Sequence, residues 1–401
     1  MTFKEMTLTC SEPMPKSIKV NRIIKKIQGS VEGPTVVFFA GIHGNEAAGV
    51  NALIEVFEHL KTEDVKGTIY GIKGNLKALE TGQRYIDEDL NRVWTKNRLK
   101  DLDSKKHLNI EEQEQKDLFA ILNDIISTNL GPIYFIDFHT TSSQTLPFIT
   151  INDALINRKF GKLFPVPIVL GIEEYLEGPL LSYINELGYV SLGFESGQHD
   201  DVEAITNSIS FIYLTLVFTN SIAIDKVIGF PIHYNQLKTK SKDLIDIFEV
   251  VYLHRIKNGD VFAMEKGFES FQSIKKHTFL AVSNNKPIAS KYNAKLFMPL
   301  YQTKGNEGFF IIKRIKPFFL KLSSLLRKIK ADNLLILLPG ISWENKDKHT
   351  LRVNLKTARF FAKSFFHLLG YRNKQIDASH IRLNNRERAA KQIMYKDEMW
   401  F

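Results

Sequence analysis

The chain is poor in cysteine, and that absence excludes the most. Of 401 residues one is cysteine, Cys10. An intramolecular disulfide and a cysteine-based zinc site are therefore excluded, and a reducing compartment is expected. Long hydrophobic runs are also missing. The longest, Phe211-Ile212-Tyr213-Leu214-Thr215-Leu216-Val217-Phe218, is too short to span a bilayer, and the first residues are polar with no apolar signal core. The expectation is a cytoplasmic protein with no membrane partner. No zinc-finger spacing or RNA-binding aromatic motif is present. The net charge of +10, from 54 Lys+Arg against 44 Asp+Glu, is spread over scattered lysines such as Lys313, Lys316, Lys321, Lys328 and Lys330. That pattern reads as a solvated basic face, and nucleic acid is not the expected partner.

What is present is a soluble globular composition, 44% hydrophobic and 24% charged. The length allows one large domain or two to three ordinary ones. The chain is organised around Gly41-Ile42-His43-Gly44-Asn45-Glu46. An apolar run, Val36 to Ala40, precedes this stretch, and a helical pattern of Ala47, Ala48, Val50, Leu53, Ile54 and Phe57 follows it. The run reads as a buried strand and the pattern as an amphipathic helix. His43 and Glu46 then sit at the carboxyl end of a strand, where open α/β sheets bind ligands. An imidazole and a carboxylate three residues apart can reach one metal ion, with Gly44 allowing a tight turn between them. The bland alternative is a polar turn with Asn45 capping the helix.

The same design recurs. Pro132 to Phe138 is an apolar strand that delivers His139, with Asp137 placed to orient an imidazole. Gly188 to Phe194 is another strand, carrying Glu195 at its end as a candidate general base. Its structural alternative is an N-cap or first-turn glutamate of the helix beginning near Asp201. Between the first two lies Arg84-Tyr85-Ile86-Asp87-Glu88-Asp89-Leu90-Asn91-Arg92. Its arginines and asparagine could bind an anionic substrate, or it could be a charged loop with internal Arg–Asp pairs.

Further strands are expected at 67–72 and 166–170, and a helix over about 111–128. An edge strand is expected at Ser17–Val20. After about Ile224 the segments shorten and alternate, as at 249–253, 279–282 and 309–312, which reads as a small antiparallel β unit. A strand within 333–345, a helix over 354–369 and a polar, basic, loosely ordered last thirty residues complete the reading. The expected organisation is α/β, a mixed, mostly parallel central sheet flanked by helices, with a smaller β-rich C-terminal domain. Its divisions are a catalytic domain over 1–225, the β-rich domain over 226–345 and a helical, basic extension over 346–401.

Two histidines and a glutamate are a catalytic zinc set that leaves one position for water. A nearby carboxylate to take a proton and an arginine to stabilise an oxyanion complete the equipment for amide or ester hydrolysis. The four motifs, Gly41–Glu46, Arg84–Arg92, Asp137-Phe138-His139-Thr140 and Phe194-Glu195-Ser196-Gly197, resemble in content and order the succinylglutamate desuccinylase/aspartoacylase family, related to zinc carboxypeptidases. The resemblance covers roughly residues 35 to 315.

It implies one Zn2+ held by His43, Glu46 and His139, and Arg84 polarising the scissile carbonyl. It also implies Asn91 and Arg92 holding a substrate carboxylate and Glu195 as general base. The implied activity is hydrolysis of the amide bond of an N-acyl amino acid or similar small carboxylate. Two rivals are carboxypeptidase-type trimming of a peptide and a catalytically silent metal- or ligand-binding protein. A homo-oligomer is left open.

Two features differ from the aspartoacylase branch. The arginine about ten residues before the base has no counterpart in Tyr183–Leu187, and Phe309 and Phe310 stand where a tyrosine is expected. Both count against a dicarboxylic substrate such as N-acetylaspartate.

Overall fold

The computed structural model describes residues 21–344, 348–354, 357, 363–375 and 380–401. Cys10 and the edge strand expected at Ser17–Val20 lie outside the described residues. In chain order the strands are β1 (Ile23–Gln28), β2 (Val31–Ala40), β3 (Lys66–Lys73), β4 (Ile133–Thr141), β5 (Phe148–Ile151) and β6 (Ile168–Leu170). They continue with β7 (Val190–Gln198), β8 (Ile247–Arg255), β9 (Phe262–Met264), β10 (Ser273–Ile274), β11 (Phe279–Ser283) and β12 (Lys286–Ala289). The last are β13 (Ala294–Phe297), β14 (Glu307–Arg314), β15 (Ile341–Trp343), β16 (Thr350–Asn354), β17 (Tyr371–Gln375) and β18 (His380–Asn385).

Among the described residues, eleven of these form one sheet in the order β1-β3-β2-β4-β7-β5-β6-β8-β14-β13-β10. The block β3-β2-β4-β7 is parallel. β5 runs antiparallel to β7, and β8-β14-β13-β10 is antiparallel throughout. β6 pairs in parallel with β8, so the sheet passes through residue 225 without a break. The fold is thus mixed α/β with a large, mostly parallel central sheet and a smaller β-rich C-terminal part.

The apolar runs explain the central block. Every residue of β4 and the last seven of β2 are buried. Strands covered by helices on both faces need apolar side chains at successive positions instead of an alternating pattern. Helix Ala48–His59 packs on one face. There Gly49 allows close approach, because a Cβ would fall 2.4 Å from Phe138 Cβ. Phe194 stacks on Phe211 of helix Val202–Phe218 at 4.0 Å between ring centroids. Helix Ile110–Thr128 lies on the other side, started by a reciprocal capping box between Asn109 and Glu112.

The C-terminal segment differs from its sequence reading. Within 354–369, Asn354 ends β16 and the helix spans Lys363–Leu368; most of the stretch between lies outside the described residues. Residues beyond 370 form β17 and β18 of a four-stranded antiparallel sheet, β15-β16-β18-β17. Far from being loose, the last residues are tied into the central sheet. The Tyr395 hydroxyl donates to the Ile133 carbonyl at 2.5 Å and accepts from the Val190 N–H at 3.0 Å, and Trp400 Nε1 donates to the Tyr134 hydroxyl. A sparse set of aromatic anchors does this work, so the polar composition between them gives no sign of it.

Tyr395 is fully buried. Tyr395→Phe should leave the Ile133 carbonyl and the Val190 N–H without their partner, at a cost of about 1–3 kcal/mol. Thermal denaturation checks this; an unchanged midpoint would show that neither bond matters.

Candidate active site

β2, β4 and β7 are adjacent and parallel, so their carboxyl ends open on one crevice, and each delivers part of the candidate set there. His139 and Glu195 are register partners across β4 and β7. His43 and Glu46 follow β2 in the turn before helix Ala48–His59. Gly41 supplies the positive φ of that turn, 71°. Gly44 is needed for a different reason from the tight turn expected of it: a Cβ there would lie 2.0 Å from the Ala78 carbonyl carbon. Asn45 does not cap the helix; its Nδ2 donates to Gln302 Oε1 at 3.1 Å.

His43, Glu46 and His139 come together, with one ligand atom from each lying within 4.8 Å of the others. His43 Nδ1 and Glu46 Oε1 are 2.8 Å apart, and His139 Nδ1 and Glu46 Oε2 are 2.9 Å apart. The far ring nitrogens are both held by carboxylates: His43 Nε2 by Asp89 at 3.0 Å and His139 Nε2 by Asp137 at 2.9 Å. Two imidazoles thus turn the same nitrogen toward one carboxylate while their other nitrogens are fixed. This arrangement suits a metal held by two nitrogens and an oxygen, because ligating imidazoles need their second nitrogen anchored. The Thr140 N–H also donates to Glu46 Oε2, at 3.2 Å. Burial pushes the Glu46 carboxyl up, but the two histidines outweigh it and hold the group well below the ordinary carboxylate range. Burial pushes His139 down, while Asp137 and Glu46 raise it well above the usual histidine range.

Arg84 lies partly buried beside them. It donates to Asp89 Oδ2 through Nε at 3.2 Å and Nη2 at 2.9 Å, and its Nη1 lies 3.6 Å from Glu46 Oε1. Asp89 therefore serves both Arg84 and His43. Sequence reasoning placed Asp89 only within a charged loop; the five-residue spacing from Arg84 was its one signal. The loop itself is set by a residue outside every motif. The fully buried Glu111 accepts from the backbone N–H groups of Ile86, Asp87 and Glu88 at 2.7, 2.9 and 3.2 Å, and from Asn75 Nδ2 at 2.9 Å.

Asn91 and Arg92 line the same cavity, of about 130 Å³, and both have protein partners. Asn91 Oδ1 accepts from the Leu180 N–H at 2.9 Å, and Arg92 pairs with Glu307 of β14 at 3.2 Å. His199 is a further lining residue that the motifs left out. Its Nδ1 lies 2.7 Å from Thr140 Oγ1 and its Nε2 3.2 Å from Gln302 Oε1, and burial lowers its pKa.

Glu195 is buried in the cavity wall, and its Oε2 has no hydrogen-bond partner. It caps no helix, since Asp201 caps helix Val202–Phe218. Burial pushes its carboxyl up to about 8; His139 opposes the rise, and Glu46 and Asp137 add to it. A carboxyl of that kind can take or give a proton near neutrality.

The mixed α/β fold is shared with solved structures of desuccinylase/aspartoacylase proteins. A succinylglutamate desuccinylase/aspartoacylase from Rhodobacter sphaeroides shares it with a TM-score of 0.53 at 15% identity, covering 73% of this chain and 88% of that one. An aspartoacylase family protein from Mesorhizobium loti gives a TM-score of 0.51 at 13% identity, covering 73% and 88%. Residues 32–207 match the succinylglutamate desuccinylase/aspartoacylase catalytic domain, so this part of the chain is similar to that domain. A succinylglutamate desuccinylase from Photorhabdus laumondii is 34% identical over 109 residues, 26% of this chain and 33% of that protein. A probable aspartoacylase from Prochlorococcus marinus is 34% identical over 122 residues, 28% of this chain and 36% of that protein. The matches thus span about a third of the length of these curated relatives.

Two outcomes follow from this geometry. Glu111→Ala should leave three loop N–H groups unsatisfied and destabilise the chain by about 1–3 kcal/mol or more. Denaturant unfolding with the midpoint unchanged would show that Glu111 does not organise the loop. Because the folded carboxyl of Glu195 titrates near 8 and its ordinary value is 4.5, folding favours the protonated acid. That contribution is full below about pH 4.5 and is lost as pH rises through about 8. Metal-free wild type should therefore lose thermal stability relative to Glu195→Gln between pH 5 and pH 9. A difference in midpoint that stays constant over this range would refute the shift.

Proposed function

We propose that the chain is a zinc-dependent hydrolase that cleaves the amide bond of an N-acyl amino acid or a similar small carboxylate. The observation that carries this reading is the convergence of His43, Glu46 and His139, ligand atoms within 4.8 Å of one another, in a cavity also lined by Glu195. The family match over residues 32–207 supports the deacylase class. The donor set fits zinc: two imidazole nitrogens and a carboxylate oxygen, each imidazole anchored at its far side by Asp89 or Asp137. Zinc held there would polarise the scissile carbonyl and make water nucleophilic near neutral pH.

The chain's own groups would do the rest. Glu195 is the proposed general base, and its unpartnered Oε2 is the atom free to receive the proton. The burial that raises its pKa makes it a good enough base to accept that proton and a good enough acid to pass it to the leaving nitrogen. Arg84 is the proposed stabiliser of charge developing on the carbonyl oxygen, and its two bonds to Asp89 hold the guanidinium in place beforehand. Asn91 and Arg92 are the proposed contacts for the substrate carboxylate. Their links to Leu180 and Glu307 set where those side chains stand.

Glu195→Gln should bind zinc as wild type does and lose at least about a hundredfold in turnover of an N-acyl amino acid panel, because proton transfer by a placed base contributes roughly 10²–10⁴. Full activity in that variant would remove Glu195 from the mechanism. Asp89→Asn should weaken zinc binding by about 10- to 100-fold, the usual effect of removing a partner that orients a ligand. Competitive chelator titration measures it, and unchanged affinity would detach Asp89 from the metal site.

A further inference from the structure

Helix Pro317–Lys328 follows β14, contributes nothing to the lining of the candidate site, and its packing is inverted. The two side chains it buries are polar. Ser323 Oγ donates to the Leu368 carbonyl at 2.8 Å, and Arg327 pairs with Asp153 at 2.8 Å. Leu320 and Leu326 only partly reach neighbouring cores. Its large apolar side chains point to solvent: Phe318 is 67% exposed, Leu325 57% and, just past the helix, Ile329 64%. At spacings i, i+7 and i+11 these three share one stripe. Directly after it, the turn of helix Ala331–Leu337 exposes Leu334, Ile336 and Leu337, the last at 76%. A helix that faces the core with serine and arginine and faces outward with phenylalanine and leucine has a surface that a monomer in water has no reason to keep.

The charges around that surface are of one sign. Lys316, Lys321, Lys328 and Lys330 are exposed within the same stretch, with Lys321 and Lys328 bordering Leu325 along the helix. The one acidic residue between 313 and 338, Asp332, is buried and bonded to Arg388 and Tyr371. An apolar stripe bordered by lysines, with no exposed acid within 313–338, is complementary to a surface that is apolar beneath and anionic on top. Lysine stems also reach past buried apolar groups to keep their ammonium groups among phosphates.

We infer that the face made by Phe318, Leu325, Ile329 and Leu337, with its bordering lysines, docks on an anionic phospholipid bilayer surface. This is a peripheral contact. No helix among the described residues is long and apolar enough to cross a membrane. It is independent of the proposed hydrolysis, since none of these residues lines the candidate site.

The test is co-sedimentation of the full chain with vesicles of phosphatidylcholine alone and of phosphatidylcholine mixed with phosphatidylglycerol. The chain should partition onto the mixed vesicles at least about tenfold better, and added salt should weaken that binding. Phe318→Ser with Leu325→Ser and Ile329→Ser, and separately Lys316→Glu with Lys321→Glu and Lys328→Glu, should each reduce it by about tenfold or more at an unchanged melting midpoint. If either triple variant fails to fold, the single Leu325→Glu variant takes its place. Three results would overturn the inference. One is no preference for the mixed vesicles, and another is binding that the substitutions leave intact. The third is a concentration-dependent dimer that the serine substitutions abolish while vesicles leave it untouched, which would assign the face to a second copy of the chain.

Discussion

One carboxylate holds the crevice together. Glu46 sits between His43 and His139, takes the Thr140 N–H as well, and lies near Arg84, all at the carboxyl ends of buried strands. A buried carboxylate without such partners would be protonated or would unfold its surroundings. Here the histidines reverse the effect of burial and keep it ionised. The partners are constrained in turn, one imidazole by Asp89 and the other by Asp137. Three carboxylates therefore face one guanidinium and two imidazoles. The balance is met by protons on the imidazoles or by a divalent cation in their place.

The cavity around this cluster is composite. Its floor comes from β2, β4 and β7, but the Arg84–Arg92 loop is shaped by Glu111 from helix Ile110–Thr128. Its rim comes from the C-terminal strands. Glu307 on β14 pairs with Arg92, and Gln302 in the preceding loop meets both Asn45 and His199. The sheet is continuous from β6 into β8 and β14, so the rim is a hydrogen-bonded extension of the floor. Two distant stretches of chain thereby share one small space.

Some of this was legible from residues alone. The apolar runs ending at Ala40, Phe138 and Phe194 announced themselves because a strand covered on both faces cannot alternate. Each run delivered a polar residue where the apolar sequence stops, which is why His43, His139 and Glu195 stood out. The C-terminal segment was misread for the opposite reason. Its strands pair in a small antiparallel sheet, and its attachment to the core rests on Tyr395 and Trp400, too far apart to make a periodic signal. Glu111, His199 and Glu307 carry no local mark, because each acquires its partner across the fold, and Asp89 is marked only by its spacing from Arg84.

The sequence by itself determined the central strands, the order of the four motifs and the residue types at their ends. Local chain geometry is enough to put a side chain at the end of a strand. Only the tertiary structure decided which nitrogens face Glu46, which carboxylates hold the histidines and the arginine, and that Glu195 keeps a buried oxygen unpaired. It also decided that the helix after β14 turns its apolar side outward. Hydrogen bonds, burial and charge balance are made between segments that meet only when the sheet is assembled, so their partners cannot be read one stretch at a time.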